Sequence, residues 1–286
     1  MMRVSILLLL SFIVYAQSQK FLGLSNSTYD VAIANASWYF CGASYCQPSN
    51  IAKWAVSTAS ELYPNVEQIN VFTNSTGDNL GFSAYDPNTD SVFLVFRGTD
   101  NVENWMENLD FVRTSYSFCS GCEVHAGFLA AYSDIRADVI AKMAALTQKY
   151  PNSQMIVTGH SLGAALATLA YVDLYASYGK IDYLYTFGSP RVGNDQFAAY
   201  VNQQLTNGFK ARITHYEDII PHVPFYYWGF EHIDREIFYN TEDSSSYTVC
   251  QAGEEDPNCS YQFYLWSWSV SDHQNYLGFD KETMKC

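Results

Sequence analysis

Gly159-His160-Ser161-Leu162-Gly163 sets a serine between two glycines, each two residues away. A serine hydroxyl attacks a carbonyl carbon when a base takes its proton and a carboxylate orients that base. A serine at a sharp strand-to-helix turn sits in strained backbone, and its glycine neighbours let chain segments approach closely. A five-residue pattern also arises by chance, and the competing reading is a glycine-rich turn before an ordinary helix. The flanks oppose that reading, because Met155–Val157 reads as a strand and Leu162–Tyr178 as a long helix closed by Gly179. At the start of that helix the Leu162 N–H lies beside Ser161, where it can stabilise an oxyanion. Downstream stand four candidate bases, His215, His222, His232 and His273, and five candidate acids, Asp182, Asp195, Glu217, Asp218 and Asp234. Chemistry alone leaves several pairings open. Asp218 is favoured by its place after strand Ala211–His215, in a turn closed by Pro221 at the carboxyl edge of a sheet. His273 is favoured by its late loop, Ser271-Asp272-His273.

Elements able to position these groups follow in order along the chain. Val66–Phe72 and Leu80–Tyr85 read as a hairpin with turn chemistry at Asn74–Gly77. Val92–Phe96 is a continuous apolar run, the mark of a strand buried on both faces. Phe128–Tyr150 has a helical pattern ending at Pro151, Ile181–Phe187 is a strand, and Asp195–Leu205 is a helix. This alternation implies a mostly parallel sheet with helices on both faces. From Phe225 onward the chain is richer in aromatics and less regular.

The chain has 286 residues, 48% hydrophobic and 15% charged, enough to bury a large core. A short basic start, an apolar run over Val4–Val14 and small residues at Val14 and Ala16 read as a signal peptide over residues 1–16. Residues 17–286 are expected to form one exported domain with no transmembrane segment. The net charge of −14 without a basic patch excludes nucleic acid as a natural partner and disfavours anionic lipid surfaces. Seven cysteines suit an oxidising compartment. Cys119 and Cys122 favour a local disulfide, since zinc would need two more ligands. Cys250 and Cys259 bracket an acidic loop. Cys286 is expected to pair with Cys41 or Cys46; Cys41 is carried as the candidate, and sequence does not decide. Asn26, Asn35, Asn74 and Asn258 stand in glycosylation sequons expected on the surface. Neither acidic turn, Asp86–Asp90 or Gly253–Pro257, has calcium-loop spacing, so no metal and no cofactor is expected.

Six motifs in order resemble the fungal-type triacylglycerol lipases, the class 3 lipases of the α/β-hydrolase superfamily. They are Phe96-Arg97-Gly98-Thr99 with Asn104-Trp105; Val124-His125-x-Gly127-Phe128; the serine pentapeptide; Gly188-x-Pro190-Arg191-Val192-Gly193; Asp218-Ile219-Ile220-Pro221-His222-x-Pro224; and Asp272-His273-x-x-Tyr276-Leu277-Gly278. The resemblance runs from about Val31 to the C-terminus. It implies an α/β-hydrolase fold with a short helical lid. It also implies Ser161, Asp218 and His273 as a triad, with Thr99 joining Leu162 in the oxyanion hole. His160 is then packed beside the site, His125 and His222 take structural or supporting places, and His215 and His232 are hydrogen-bonded structural histidines.

Between Thr99 and Phe111, Val102, Trp105, Met106 and Leu109 fall at i, i+3, i+4 and i+7, opposite Glu103, Glu107 and Asn108. Most such helices simply pack on a core. The resemblance favours a lid whose apolar face meets substrate or a lipid interface. The leading expectation is hydrolysis of triacylglycerol at such an interface. The alternatives are an esterase on phospholipid, galactolipid or feruloyl esters, and a binding protein on an inactive hydrolase scaffold. The complete set of triad residues opposes the last. Oligomeric state is not readable.

Overall fold

A computed structural model describes residues 28–108, 110–250, 255–263, 267–284 and 286. The expected signal peptide, the Asn26 sequon and Leu109 lie outside the described residues. In chain order the elements are α1 (Val31–Ser44), α2 (Pro48–Ile51), α3 (Ser57–Leu62), β1 (Glu67–Thr73), β2 (Leu80–Asp86), β3 (Ser91–Phe96) and α4 (Val102–Glu107). Then come β4 (Arg113–Ser115), β5 (Glu123–His125), α5 (Ala126–Lys149), β6 (Gln154–His160), α6 (Leu162–Tyr178), β7 (Tyr183–Phe187), α7 (Asp195–Gln204) and β8 (Phe209–His215). Shorter elements close the chain: β9 (Glu236–Tyr239), β10 (Tyr247–Val249), β11 (Asn275–Tyr276), β12 (Phe279–Asp280) and α8 (Lys281–Met284).

The main sheet runs β1-β2-β3-β6-β7-β8-β9-β10. The strands from β3 to β9 are parallel, and the flanking pairs are antiparallel. Strand β3 shows why the apolar run had no alternation to read. Phe93 and Val95 face a core built with α1, while Val92, Leu94 and Phe96 face a core built with α5, α6 and α7. Both faces are covered, so Val92–Phe96 is apolar throughout. Helix α1 is buried around most of its circumference and carries no helical periodicity. Helix α6 lies against β6 with Ala164, Ala165, Ala167 and Ala170 fully buried. Small side chains there let the helix axis come close to the sheet.

The cysteines correct one expectation. Cys46, not Cys41, pairs with Cys286, across a Cα–Cα separation of 5.3 Å. Cys41 points from α1 into the sheet, fully buried, with its Sγ 3.4 Å from Thr158 Oγ1 on β6. Cys46 lies just past the end of α1, within reach of the C-terminal segment. Burial pushes the Cys41 thiol up to about 12. Cys119–Cys122 and Cys250–Cys259 are bonded. Asn74 sits in the β1–β2 turn and Asn258 is exposed, whereas Asn35 is half-buried inside α1 with Ser37 fully buried.

One reactive thiol is therefore expected per chain, visible only after unfolding. Titration with a thiol-specific chromophore without reductant should read no thiol in buffer and one in denaturant. Rapid reaction of the native chain would contradict the burial of Cys41.

Candidate active site

Strand β6 ends at His160, and helix α6 begins at Leu162, so Ser161 alone makes the turn, at φ 59° and ψ −131°. A non-glycine residue at positive φ is strained and persists only where its surroundings fix it. The surroundings are two close approaches. A Cβ on Gly159 would overlap the Gly163 carbonyl, and one on Gly163 would overlap the Phe96 carbonyl at the end of β3. The Ser161 N–H donates to the Phe187 carbonyl on β7 at 3.0 Å. Gly98 packs so near that a Cβ there would lie 2.9 Å from Ser161 Cβ, and half-buried Thr99 follows it in the chain. At the first turn of α6 the Leu162 N–H has no intrahelical acceptor four residues back.

Strand β8 delivers Asp218 through a turn in which the Asp218 N–H donates to the His215 carbonyl. Asp218 is 1% exposed, and its carboxylate accepts three hydrogen bonds. Oδ2 takes them from His273 Nδ1 at 2.8 Å and from the Tyr276 hydroxyl at 2.5 Å; Oδ1 takes one from the Ile220 N–H at 2.8 Å. A buried carboxylate needs such partners to remain charged. Because His273 donates from Nδ1, its neutral ring carries the lone pair on Nε2, the tautomer a base requires. Ser161 Oγ and His273 Nε2 are both buried and without a hydrogen-bond partner. Gly188, at φ +53°, shows what space the pair needs: a Cβ there would meet the His273 ring at 2.7 Å and Asp218 Oδ2 at 2.8 Å.

Two residues to which the sequence gave no catalytic part brace His273. His160 Nε2 donates to the His273 carbonyl at 2.8 Å, and the two rings stack at 4.3 Å. With Nε2 donating, Nδ1 accepts, so the Tyr45 hydroxyl donates to it at 2.8 Å. Burial, then the neighbouring His273 and Lys281, hold His160 well below the ordinary histidine range, which keeps this relay neutral. Tyr276 lay within a recognised motif but had no role in it. The signals were the motif position itself and the residue next to the serine.

The other candidates are occupied elsewhere. His215 faces the carbonyls of Asp272 and Thr241 at 3.1 Å each. His232 donates to the Pro221 carbonyl at 2.7 Å. His125 caps α5, its Nδ1 accepting from the N–H groups of Gly127 and Phe128. His222 stacks on Trp268 at 4.5 Å, and burial pushes it down to about 3. Among the acids, Asp182 pairs with Lys180, Asp195 lies in the first turn of α7, Asp234 accepts from the Arg235 N–H, and Glu217 is on the surface side of the β8 turn. Arg191 binds Glu255 through two hydrogen bonds, at 2.7 and 2.8 Å, and the Pro224 carbonyl at 2.9 Å, fastening the far end of the Asp218 loop. Among the described residues, Glu236 with Cys250 and Cys259 has metal-like proximity, but both sulfurs are in a disulfide.

Helix α4 is capped by Asn101, whose side chain accepts from the Asn104 N–H. Its apolar face turns inward. Val102 is buried against Ile220 and Val223, and Trp105 and Met106 cover the same cluster together with Ile219 and Val270. Trp105 also stacks on Phe128 at 6.2 Å, while Glu103, Glu107 and Asn108 face solvent. The helix thus lies over the segments that carry Asp218 and His273.

A serine at a strand-to-helix elbow, followed in the chain by a buried acid and a histidine at the carboxyl edge of a mostly parallel sheet, defines an α/β-hydrolase fold. The profile of the family described as Lipase (class 3) matches residues 93–228. A lipase of Rhizomucor miehei is 36% identical over 195 residues, 66% of this chain and 53% of its own length. A secreted mono- and diacylglycerol lipase A of Penicillium cyclopium is 34% identical over 191 residues, 66% of this chain and 62% of its own. A solved triacylglycerol lipase, whose catalytic centre is formed by a serine protease triad, superposes with a TM-score of 0.80 at 30% identity, covering 89% of this chain and 97% of that one. The chain belongs to the class 3 lipase family. It spans little more than half the length of these two sequence relatives.

Two outcomes follow from the buried groups. Tyr276→Phe removes a donor to a buried charge, so unfolding free energy should fall by about 1.5–3 kcal/mol in denaturant titration; an unchanged midpoint would show the bond to be dispensable. His125, His160, His222 and His232 all have folded-state values depressed, with burial the largest cause. The unfolded chain therefore binds more protons below the ordinary value of 6.5. Their contribution to stability is complete above that pH and is lost as pH falls through the folded values. Melting temperatures scanned from about pH 8 to about pH 4 should decline on the acid side, and a rise there would refute this account.

Proposed function

We propose that this chain is an exported carboxylic ester hydrolase that cleaves lipid esters, foremost triacylglycerol, at a lipid–water interface, with residues 17–286 as one catalytic unit. The reading rests on one combination: a serine elbow at Ser161, a buried Asp218–His273 pair, and an amphipathic helix whose apolar face covers the segments that carry that pair. The relatives' names support it, and the Penicillium cyclopium relative makes partial glycerides a natural second substrate. Among the described residues no helix is long and apolar enough to cross a membrane.

Ser161 Oγ bonds to the ester carbonyl carbon as its proton passes to His273 Nε2. Asp218, on Nδ1, stabilises the imidazolium. The carbonyl oxygen takes the negative charge and accepts from the Leu162 N–H and from Thr99. The tetrahedral species collapses, the carbon–oxygen bond to the alcohol breaks, and His273 protonates the departing oxygen. Water, deprotonated by His273, attacks the acyl carbon; the bond to Ser161 Oγ breaks, His273 returns the proton to Oγ, and the carboxylic acid departs. Val102, Trp105, Met106 and Leu109 form the lid, and Trp105 touches the acyl chain or the interface once α4 swings out. An interface favours that state only by better contact with it than with the packed one.

Ser161→Ala should lower turnover by roughly 10⁴–10⁶-fold, measured on emulsified triacylglycerol and on a short soluble ester. Full activity in that variant would remove the assignment. The unmodified chain should accelerate sharply above the solubility limit of its ester, and Trp105→Ala should lose rate on emulsion more than on the soluble ester. Equal losses would reduce α4 to a structural helix.

A further inference from the structure

We propose that Phe111, Tyr226, Tyr227, Trp228 and Tyr261, with the adjoining cavity, form a fixed docking surface for an uncharged or zwitterionic lipid interface, separate from helix α4. The proposal rests on the lipid-ester reading above and adds a second point of attachment to it.

Isolated exposed apolar residues are ordinary on a protein surface, whereas a contiguous cluster of large ones marks an interaction site. These five are between 36% and 73% exposed, Tyr227 the most. They belong together. Phe111 meets Trp228 at 4.0 Å between ring centres, and Phe225 stacks on Tyr227 at 5.2 Å and meets Trp228 at 4.9 Å. Exposed Val112 adjoins Phe111 in sequence. The rings border a cavity of about 400 Å³, lined by Phe225, Tyr226, Tyr227, Tyr261, Phe263 and Trp268. Among the described residues that line it, none belongs to α4 and none is Ser161, Asp218 or His273.

The platform is held rigid. Gly229, at φ +78°, turns the chain directly after Trp228, and its carbonyl accepts from Arg113 Nη1 at 2.6 Å. No motion of α4 is needed to display it. It is also continuous with the covered cluster, because Ile220 and Val223, beneath α4, run on into Phe225–Trp228, and Phe111 follows α4 in the chain. Withdrawal of α4 would join the two apolar areas into one.

Charge selects the kind of lipid. The cations nearest the surface are already committed. Arg113 also reaches Glu123 at 3.3 Å, and Arg191, in the cavity wall, is bound to Glu255. His222, the other basic side chain of the wall, is held neutral by burial. With a net charge of −14 and these cations paired, the described residues of this surface offer little attraction to anionic head groups. Tyrosine and tryptophan suit an uncharged interface, their rings entering the apolar layer while hydroxyl and indole N–H stay with the head groups. The cavity gives a hydrocarbon chain a place to enter.

The test uses the full chain carrying Ser161→Ala, so that lipid is not consumed, and measures co-sedimentation with phosphatidylcholine vesicles. Replacing Tyr226, Tyr227 and Trp228 together by Ser should weaken partitioning about tenfold or more, because binding follows the apolar area inserted. The single Tyr227→Ser change, at the most exposed position, should weaken it measurably and carries the test if the triple variant melts early. Adding phosphatidylserine should weaken binding further. Parent-like partitioning of Tyr227→Ser and the triple variant would overturn the proposal. So would firmer retention on cellulose or chitin than on vesicles, lost in the same variants, which would make this a sugar-stacking platform. Failure of the unmodified chain to hydrolyse emulsified ester, with vesicle binding intact, would sink the enzymatic reading and leave the docking surface standing.

Discussion

The buried Asp218 carboxylate is the constraint on which the site depends. A charge 1% exposed is tolerable only if its oxygens are supplied with donors, and here the donors come from three places in the chain. Ile220 supplies a backbone N–H from the same turn, His273 a ring N–H, and Tyr276 a hydroxyl from β11. Satisfying the charge therefore draws the last stretch of the chain onto the end of β8. The parallel bridge between Asp218 and Ser269 and the Ser269 N–H to the Glu217 carbonyl fix the same approach through the backbone. The tautomer of His273 follows from its bond to Asp218, and with it the free lone pair on Nε2.

Space is the second constraint. The elbow strains Ser161, and the strain is held because β3, β6 and α6 meet with no side chain between them at Gly159 and Gly163. Gly98 and Gly188 do the same for the flanking loops, one clearing Ser161 and the other the His273–Asp218 pair. His160 then links the two halves of the site, since the residue before the nucleophile holds the carbonyl of the base. Burial keeps that link uncharged, so the ring stacks on His273 without competing for its proton.

On the outer side the design is apolar. Helix α4 lies on Ile220 and Val223, and the aromatic platform continues from them. The loop that carries the acid is thus also the floor beneath the helix and the root of the exposed rings, with Arg191 fastening its end through Glu255 and Pro224. The buried carboxylate, the floor under α4 and the exposed rings share one segment, Asp218–Trp228.

Much of this was written locally. The serine pentapeptide, the apolar run of β3, the long helices α5 and α6 with their Pro151 and Gly179 stops, and the apolar face of α4 follow from nearest-neighbour chemistry and periodicity. So does the set of histidines and acids from which a base and its partner had to come. Helix α1 was not legible, because a helix buried on most sides has no polar face to mark its period. The choice of Cys46 over Cys41 depended on which side of α1 each sulfur leaves, and 240 residues separate the partners. Which histidine meets which acid, that His160 and Tyr45 brace His273, and that Tyr276 holds Asp218 are contacts between residues 55 to 115 apart in the chain. Sequence by itself determined which elements form and which groups can react. Tertiary structure alone decided which groups meet, because burial and hydrogen-bond geometry are properties of segments brought together, and no local pattern encodes them.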